Sequence, residues 1–513
     1  MGDHETLNPG AEPIHKQHAE ADDDMEFICP AFASRYMVEP IRADKFPKSS
    51  MPPKVVQRII KDSRELDATP RLNLASFVTT WMEPEVNELI LESLNINYID
   101  ESEYPSTTDI QNSCVAMLAD LYYAESACGA ATVGSSEAIL LSGLALKRRW
   151  QEKRKAAGIT EAVTPNIVCS SAVHVCWEKL FNYFEIEPRY VNLTETCFVA
   201  PPEKIAAACD KNTIGVVGIL GTTYSGHYED VAGIDAEISR LNDKNGWDIK
   251  IHIDGASGAF VVPFLYPDLK WDFRLKNVVS INASGHKYGL VYPGVGWVIF
   301  RSKDYLPESL VFHDNYLGTD QINFTLNFSK GASQIVAQYY QFLRLGRAGY
   351  TKIMQNCHAV AMYLQKALED TGYFTIISAR DPVPMLPLAT FSLKSEFRLN
   401  GYDEFDVADR LRQRGWVVPA YTMAPGAESI RVLRVLCREE FSIAAAKTFV
   451  EDVKRAMEWL TGHFLYTPEQ LADLKQKLAW KGVGKQAIKA IVKPGEPDLD
   501  AKQPNIPMHG GVC

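Results

Sequence analysis

Residues 166–169, 214–220, 249–254 and 278–282 form short apolar stretches that alternate with stretches of helical spacing across the region from about Arg71 to Gly346. Strands that alternate with helices in this way build an α/β layering around a sheet, and ligands of such sheets collect at the strand ends. The residues that end each stretch, or directly follow it, are therefore where chemistry is to be sought. After Gly346 the pattern changes to a long helix, then strands near residues 388–393 and 430–436, then a helix over residues 442–460, which reads as a smaller α/β domain closing the site.

Ser284-Gly285-His286-Lys287-Tyr288-Gly289 follows directly on the 278–282 stretch. A lysine between a histidine and small residues at a strand end is placed like an amine meant to form an imine, and pyridoxal 5'-phosphate (PLP) is the first hypothesis. A lone lysine match is weak, so the neighbours must carry the case. The stretch Ile249-Lys250-Ile251-His252-Ile253-Asp254 ends in a carboxylate followed by Gly255-Ala256-Ser257-Gly258. A carboxylate against a pyridine nitrogen keeps that nitrogen protonated, and small residues let a flat ring approach. The bland alternative is an Asp that caps the next turn. A phosphate needs a cradle, which Ala131-Thr132-Val133-Gly134-Ser135-Ser136-Glu137 offers ahead of a helical pattern over residues 138–154. Backbone N–H groups at a helix start lack partners and carry partial positive charge, although Ser-Ser-Glu would serve an ordinary N-cap equally well. Glu137 at the start and Lys147, Arg148, Arg149, Lys153 and Arg154 towards the end match the helix dipole.

These motifs, with Asn73-Leu74-Ala75-Ser76-Phe77, Asn97-Tyr98-Ile99-Asp100, Val173-His174-Val175-Cys176-Trp177-Glu178-Lys179 and Arg434-Val435-Leu436-Cys437-Arg438, occur in an order that resembles the glutamate decarboxylases. That family belongs to the PLP-dependent group II decarboxylases, in the branch shared by bacteria, plants and fungi. The resemblance runs from about Asn73 to about Leu460 and implies an α/β chain of PLP-dependent fold type I, aspartate aminotransferase-like, with a large mixed-sheet cofactor domain and a smaller C-terminal α/β domain. It implies decarboxylation of L-glutamate to 4-aminobutanoate and CO2 through an external aldimine and a quinonoid. A decarboxylase for another acidic amino acid, or a silent scaffold of the same fold, is the alternative.

Residue by residue, the resemblance places Lys287 on the cofactor aldehyde, Asp254 on the pyridine nitrogen and Ala256 on one ring face. Ser135, Ser136, Ser284 and His286 contact the phosphate, Ser329 reaches it from a neighbouring subunit, and Thr223 lies near the ring oxygen. His174 stands where the bacterial members have glutamine and other group II decarboxylases stack a histidine on the ring. It can stack and help position the proton that replaces the carboxyl group. Lys287, His174 and His286 are, in that order, the candidate acids for that protonation. The distal carboxylate falls to Ser76 and the Phe77 backbone on one subunit and Asn97 and Asp100 on another, and Arg434 meets a substrate carboxylate. An Asp beside a carboxylate needs one proton between them, which predicts activity favoured at mildly acidic pH. On spacing alone, the alternative reading of the segment from Asn97 to Asp100 is a turn before Tyr104-Pro105.

With 513 residues, 46% of them hydrophobic, the chain can bury more than one core, and a net charge of −11 with no basic stripe argues against nucleic acid. Ten cysteines without a CxxC pair or metal-like spacing read as reduced thiols of a cytoplasmic protein, and no apolar run spans a membrane. Pro293-Gly294-Val295-Gly296-Trp297 lacks the third glycine of a dinucleotide loop and reads as a tight turn into a strand over residues 297–301. The expected organisation is an arm over residues 1–70 that begins disordered, a cofactor domain over 71–346, a small domain over 347–465, and a tail over 466–513. Met1-Gly2-Asp3-His4-Glu5-Thr6 fits the loose myristoylation pattern, which the acidic flanks make a chance match. In the tail, Lys477, Lys481, Lys485, Lys489 and Lys493 recur every four residues around Trp480. A solvated tail is the default reading, and a basic amphipathic helix over residues 470–493 suits calmodulin or an anionic membrane surface. Gly482 and Gly484 oppose such a helix, and His509 is only loosely like a terminal histidine that reaches the active site in bacterial members.

Overall fold

The computed structural model describes residues 45–47, 50–314, 321–398 and 401–463. Residues up to Ala68 form one unit and residues from Thr69 onward a second. The described part of the first unit is the helix Pro53–Ser63 and a 3-10 turn Arg64–Leu66, neither with a buried residue, and Val56, Ile60 and Leu66 are exposed.

The second unit is built on a seven-stranded mixed sheet. Its strands are β1 (Cys128–Thr132), β2 (Asn166–Ser170), β3 (Glu187–Val191), β4 (Thr213–Ile219), β5 (Lys250–Asp254), β6 (Val278–Ser284) and β7 (Gly296–Phe300), in the spatial order β1-β7-β6-β5-β4-β2-β3. The strands from β3 to β6 run parallel to their neighbours, and β7 is antiparallel to both β6 and β1. Every residue of β2, β4, β6 and β7 is buried. That explains why these strands read as continuous apolar runs: both faces of the sheet are covered. Val298 and Phe300 of β7 pack with Ala138, Leu141 and Ala145 of the helix Ser135–Ala156. Trp297 and Ile299, on the other face, share a core with Cys114, Val115 and Leu118 of the helix Pro105–Leu121.

A short hairpin pairs β8 (Phe312–Asp314) with β9 (Gln321–Asn323). Beyond it a second sheet of β10 (Phe374–Ile376), β11 (Leu388–Leu393), β12 (Ala420–Thr422) and β13 (Arg431–Leu436) is wholly antiparallel in the order β10-β11-β13-β12. The helices Glu404–Arg412 and Ile443–His463 close its core. The helix expected after Gly346 starts earlier, within Ser333–Asp370, and breaks at Gly346, whose φ of 54° and ψ of −173° only glycine tolerates without strain. Tyr350 and Met354 still belong to the large core, and from Val360 the same helix packs into the second core. The segment at the start of this unit joins the two cores, because Leu74 packs in the small one and Phe77 in the large one. Its backbone is bonded to Val417 and Leu436.

Strand ends differ from expectation by one or two residues. The most consequential case is β6, which continues through Ser284 because Ser280, Asn282 and Ser284 sit at alternate buried positions that an apolar pattern does not capture. The eight described cysteines are free, and no described helix is long and apolar enough to cross a membrane. The myristoylation pattern, the early arm, the tail lysines and His509 lie outside the described residues.

Candidate active site

Strand register gathers the expected residues at one edge of the large sheet. Asp254 at the end of β5 lies opposite Asn282 of β6, and Ser284 at the end of β6 lies opposite Gly296 of β7. Gly296 in turn faces Thr132 at the end of β1. Glycine is required there, since a Cβ on Gly296 would stand 2.4 Å from the Gly134 carbonyl carbon and 2.6 Å from the Ser135 nitrogen. The turn after β1 therefore lies directly over β7, and Ser135 opens its helix with its hydroxyl 2.7 Å from that of Ser284. No side chain of the N-cap residue, Gly134, closes this helix. The Glu137 carboxylate turns back to accept from the Val133 N–H at 2.9 Å and also accepts from Leu326 N–H at 3.0 Å and Asn327 N–H at 3.3 Å. The Ser-Ser-Glu run is thus not a serine cap, and both hydroxyl-bearing residues line a cavity of about 230 Å³.

Ser135, Ser136, His174, Thr223, Asp254, Ala256, Ser284, His286 and Lys287 all line that cavity. The turn carrying Lys287 is closed by its own N–H to the Ser284 carbonyl, and the Lys287 carbonyl accepts from the Thr79 hydroxyl at 2.9 Å. Its ammonium stands 3.4 Å from the Ser257 hydroxyl and 5.0 Å from the centre of the Phe77 ring. Asp254 accepts on Oδ2 from Trp177 Nε1–H at 2.8 Å, and on Oδ1 from Asn282 Nδ2–H and the Ala256 N–H, each at 3.2 Å. A carboxylate with three donors is held in one orientation. His174 is the N-cap of the helix Val175–Tyr183, and its Nδ1 accepts from the Cys176 N–H at 3.3 Å, so the neutral ring carries its proton on Nε2. Burial, reinforced by the Lys287 ammonium, pushes His286 down to about 4, which makes it a neutral imidazole near pH 7.

The other six expected residues lie elsewhere. Phe77 is buried beneath Lys287, and the Ser76 hydroxyl accepts from the Val78 N–H at 3.2 Å. Arg434 is buried on β13, donates to the Thr223 carbonyl at 2.5 Å and the Ala75 carbonyl at 2.7 Å, and lies 4.9 Å from the Phe77 ring centre. Two of its nitrogens thus tie the Phe77 segment to the Thr223 loop, and its buried Nε has no partner among the described residues. The Asn97 amide oxygen accepts from the Lys330 N–H at 2.9 Å, and the N–H of Asp100 bonds the Asn97 carbonyl in a turn. Ser329 is exposed beside them, and none of Asn97, Asp100 or Ser329 lines this chain's cavity.

PLP fits the cavity. Lys287 would supply an amine for its aldehyde, Asp254 an oriented carboxylate for its ring nitrogen, and the helix start with Ser135, Ser136 and Ser284 a phosphate cradle. The buried Nδ1 of His286, beside Gly134, has no partner among the described residues, as a group awaiting a ligand would. Sequence reasoning missed Ser257, Trp177 and Asn282. A signal for Asn282 was present, since Ser280, Asn282 and Ser284 place a polar residue at every second position of an otherwise apolar run.

The model of the pyridoxal-dependent decarboxylase conserved domain matches residues 47–394. The chain is 52% identical over 434 residues to a glutamate decarboxylase of Petunia hybrida, covering 84% of this chain and 85% of that one. It is 43% identical over 452 residues to a glutamate decarboxylase of Lactococcus lactis, covering 87% and 96%. Among solved structures, the glutamate decarboxylase of Lactobacillus brevis superposes with a TM-score of 0.80 at 41% identity, covering 85% of this chain and 99% of that one. An Oryza sativa TDC solved with PLP and tryptamine shares the fold, with a TM-score of 0.68 at 15% identity over 82% of this chain and 90% of that one. With its lysine, carboxylate and phosphate cradle on one sheet edge of fold type I, this chain belongs to the pyridoxal-dependent decarboxylase family, among its glutamate decarboxylases.

Proposed function

We propose that this chain decarboxylates L-glutamate at Cα, releasing CO2 and 4-aminobutanoate, with PLP as cofactor. The observation that carries the reading is the convergence of Lys287, Asp254, His174 and the Ser135–Ser284 pair on one cavity, in a chain 52% identical to a named glutamate decarboxylase. Bound PLP supplies a ring that takes up the electron pair of the breaking Cα–carboxylate bond.

The protein's part is to hold, orient and protonate. Asp254, fixed by its three donors, supports positive charge at the ring nitrogen, and Ala256 leaves room for a flat ring. His174 would stack on the ring, with its Nε2 proton set by the bond from the Cys176 N–H to Nδ1. Lys287 would hold the cofactor aldehyde, and its Nζ would be the first candidate to carry a proton to Cα, with His174 Nε2 and neutral His286 as the next candidates. Thr223 would lie near the ring oxygen, while Ser135, Ser136, Ser284 and His286 would hold the phosphate.

The distal carboxylate of glutamate is received by Ser76 and the Phe77 backbone of one subunit and by Asn97 and Asp100 of another, with Arg434 meeting a substrate carboxylate. Ser329 reaches the second subunit's phosphate. What supports a shared site is that Asn97 bonds Lys330 and pairs with Gly331, so that residues 97–100 and 329–331 form one patch. Leu326 and Phe328 are exposed beside it, apolar surface that a second chain would cover. The protein is accordingly a homo-oligomer of at least two chains. The four-residue lysine spacing around Trp480 supports calmodulin as a partner of residues 470–493, which lie outside the described residues.

Carbon dioxide release by the purified PLP-loaded protein from L-glutamate, L-aspartate and an aromatic amino acid, at pH 5 and pH 7.5, tests the reading. Release from glutamate alone, faster at pH 5, is expected. Release from aspartate or the aromatic substrate instead would keep Lys287 and Asp254 but overturn the roles of Asn97 and Asp100. Silence despite the absorbance of bound cofactor would leave only a scaffold.

A further inference from the structure

Behind Asp254 a line of buried polar side chains runs across β5 and β6, away from the cavity. Asn282 donates through Nδ2 to Asp254 Oδ1, and its amide oxygen lies 2.8 Å from His252 Nε2. His252 Nδ1 is 2.8 Å from the Ser280 hydroxyl. Strand register explains the alignment: His252 is opposite Ser280, and Asp254 is opposite Asn282. The other carboxylate oxygen is bonded by Trp177, whose indole also meets the His252 ring edge-on at 5.4 Å. Burial pushes His252 down to about 4, so its ring is neutral near pH 7. A neutral ring has one N–H, and its partners decide where that proton sits. The Asn282 nitrogen is committed to Asp254, so its oxygen must accept, His252 Nε2 must donate, and Nδ1 must accept from the Ser280 hydroxyl. Every donor direction in the line is thereby determined.

We propose that Trp177 and Asn282, with His252 behind Asn282, are positioning residues that fix the Asp254 carboxylate against the cofactor ring nitrogen and thereby set how firmly PLP is held and how far its ring is protonated. This rests on the reading that Asp254 faces that nitrogen. The physical reason is that a carboxylate with a single fixed donor can rotate about its Cβ–Cγ bond. With Trp177 on Oδ2, and Asn282 beside the Ala256 N–H on Oδ1, rotation breaks a buried hydrogen bond whichever way the group turns. Trp177, Asn282 and His252 are not among the residues that line the cavity.

The test is PLP binding to the stripped full-length protein, followed by the visible absorbance of the bound cofactor and the 15N resonance of ring-labelled PLP. Trp177→Phe keeps an aromatic ring and removes only the donor. It is expected to raise the PLP dissociation constant on the order of tenfold, the usual size for loss of a hydrogen-bonded support behind a ligand, and to move the ring resonance towards the unprotonated side. The absorbance band from Lys287 should still form at saturation. Asn282→Ala, expected to shift the resonance in the same direction, decides the matter if Trp177→Phe does not fold. Asp254→Ala serves as control. If it shifts the resonance while the Trp177 and Asn282 variants match the wild type in both affinity and resonance, the positioning role is overturned and Asp254 keeps its place. If Asp254→Ala leaves the resonance unchanged, the reading of Asp254 itself falls, and the positioning role with it.

Discussion

The two sides of the proposed site are built differently. On the cofactor side, nine expected residues from strand ends, adjoining loops and helix starts of one chain line a single cavity, where the Asp254 carboxylate and the Ser135–Ser284 pair are held by neighbours of the same chain. On the distal side, Asn97, Asp100 and Ser329 are gathered just as locally, yet their patch lies outside that cavity. Buried chemistry can be assembled by one sheet, whereas the residues proposed for the far end of the substrate lie in a separate patch. A surface patch acts only once something is placed over it. The difference predicts that damage on the cofactor side stays within its own chain and that damage on the distal side is felt in another.

The largest expected effect is that of Lys287→Ala. Removing the amine should abolish the visible absorbance of the bound cofactor and lower CO2 release from glutamate by roughly 10³-fold or more, since both the covalent hold and the first-choice proton donor are lost. The apo protein should melt close to the wild type, because the Lys287 amine stands at the cavity wall. A variant that keeps its absorbance and turnover would remove Lys287 from the centre of the site.

Complementation breaks or confirms the comparison directly. Asp100→Ala alone should lose turnover while keeping normal cofactor absorbance. Coexpressing it with Lys287→Ala should restore about a quarter of wild-type activity, because half of randomly paired dimers are hybrids with one intact site. Two inactive parents that give inactive mixtures would mean that Asp100 serves its own chain, and the patch of residues 97–100 and 329–331 would need another role.

How much of this was legible before the structure follows the same division. Lys287, Asp254 and Ser135 announced themselves because a charged or polar residue that ends a buried apolar run has few reasons to be there. Gly346 and the handover between cores near Met354 and Val360 were only half legible, because one continuous helical pattern spans both packings and periodicity does not reveal which core a face meets. Trp177 was hidden differently: a tryptophan in an apolar helix reads as filler, and only the three-dimensional crossing of the helix Val175–Tyr183 over β5 shows its N–H on Asp254. Nothing in the spacing of Arg434 foretold that two of its nitrogens would be committed to the carbonyls of Thr223 and Ala75.

The smallest expected effect concerns a buried carboxyl group behind the cofactor wall, which a surface patch could not carry. Glu229 is fully buried, accepts from the Ile219 N–H at 2.7 Å and the Ala200 N–H at 3.5 Å, and is pushed up to about 8 chiefly by burial. The folded protein therefore keeps a proton there that the unfolded chain, with an ordinary carboxyl, has lost above about pH 4.3. Fewer protons on the unfolded state mean that this contribution to stability falls as pH rises, by about 1.4 kcal/mol per pH unit until the folded group ionises near 8. His252 and His286, both pushed down to about 4, act in the opposite sense, since they lose stability as pH falls below about 6.5, where an unfolded histidine gains its proton. The window from pH 6.5 to 8 thus isolates Glu229 from the two histidines. Denaturant unfolding of the apo protein across that window should show Glu229→Gln less stable at pH 6.5 by about 1–3 kcal/mol, because an amide oxygen can replace only one of two acceptors. The pH slope assigned to Glu229 should disappear from the variant. An identical slope in both proteins would mean that Glu229 is already ionised in the fold, with the two backbone N–H groups outweighing its burial.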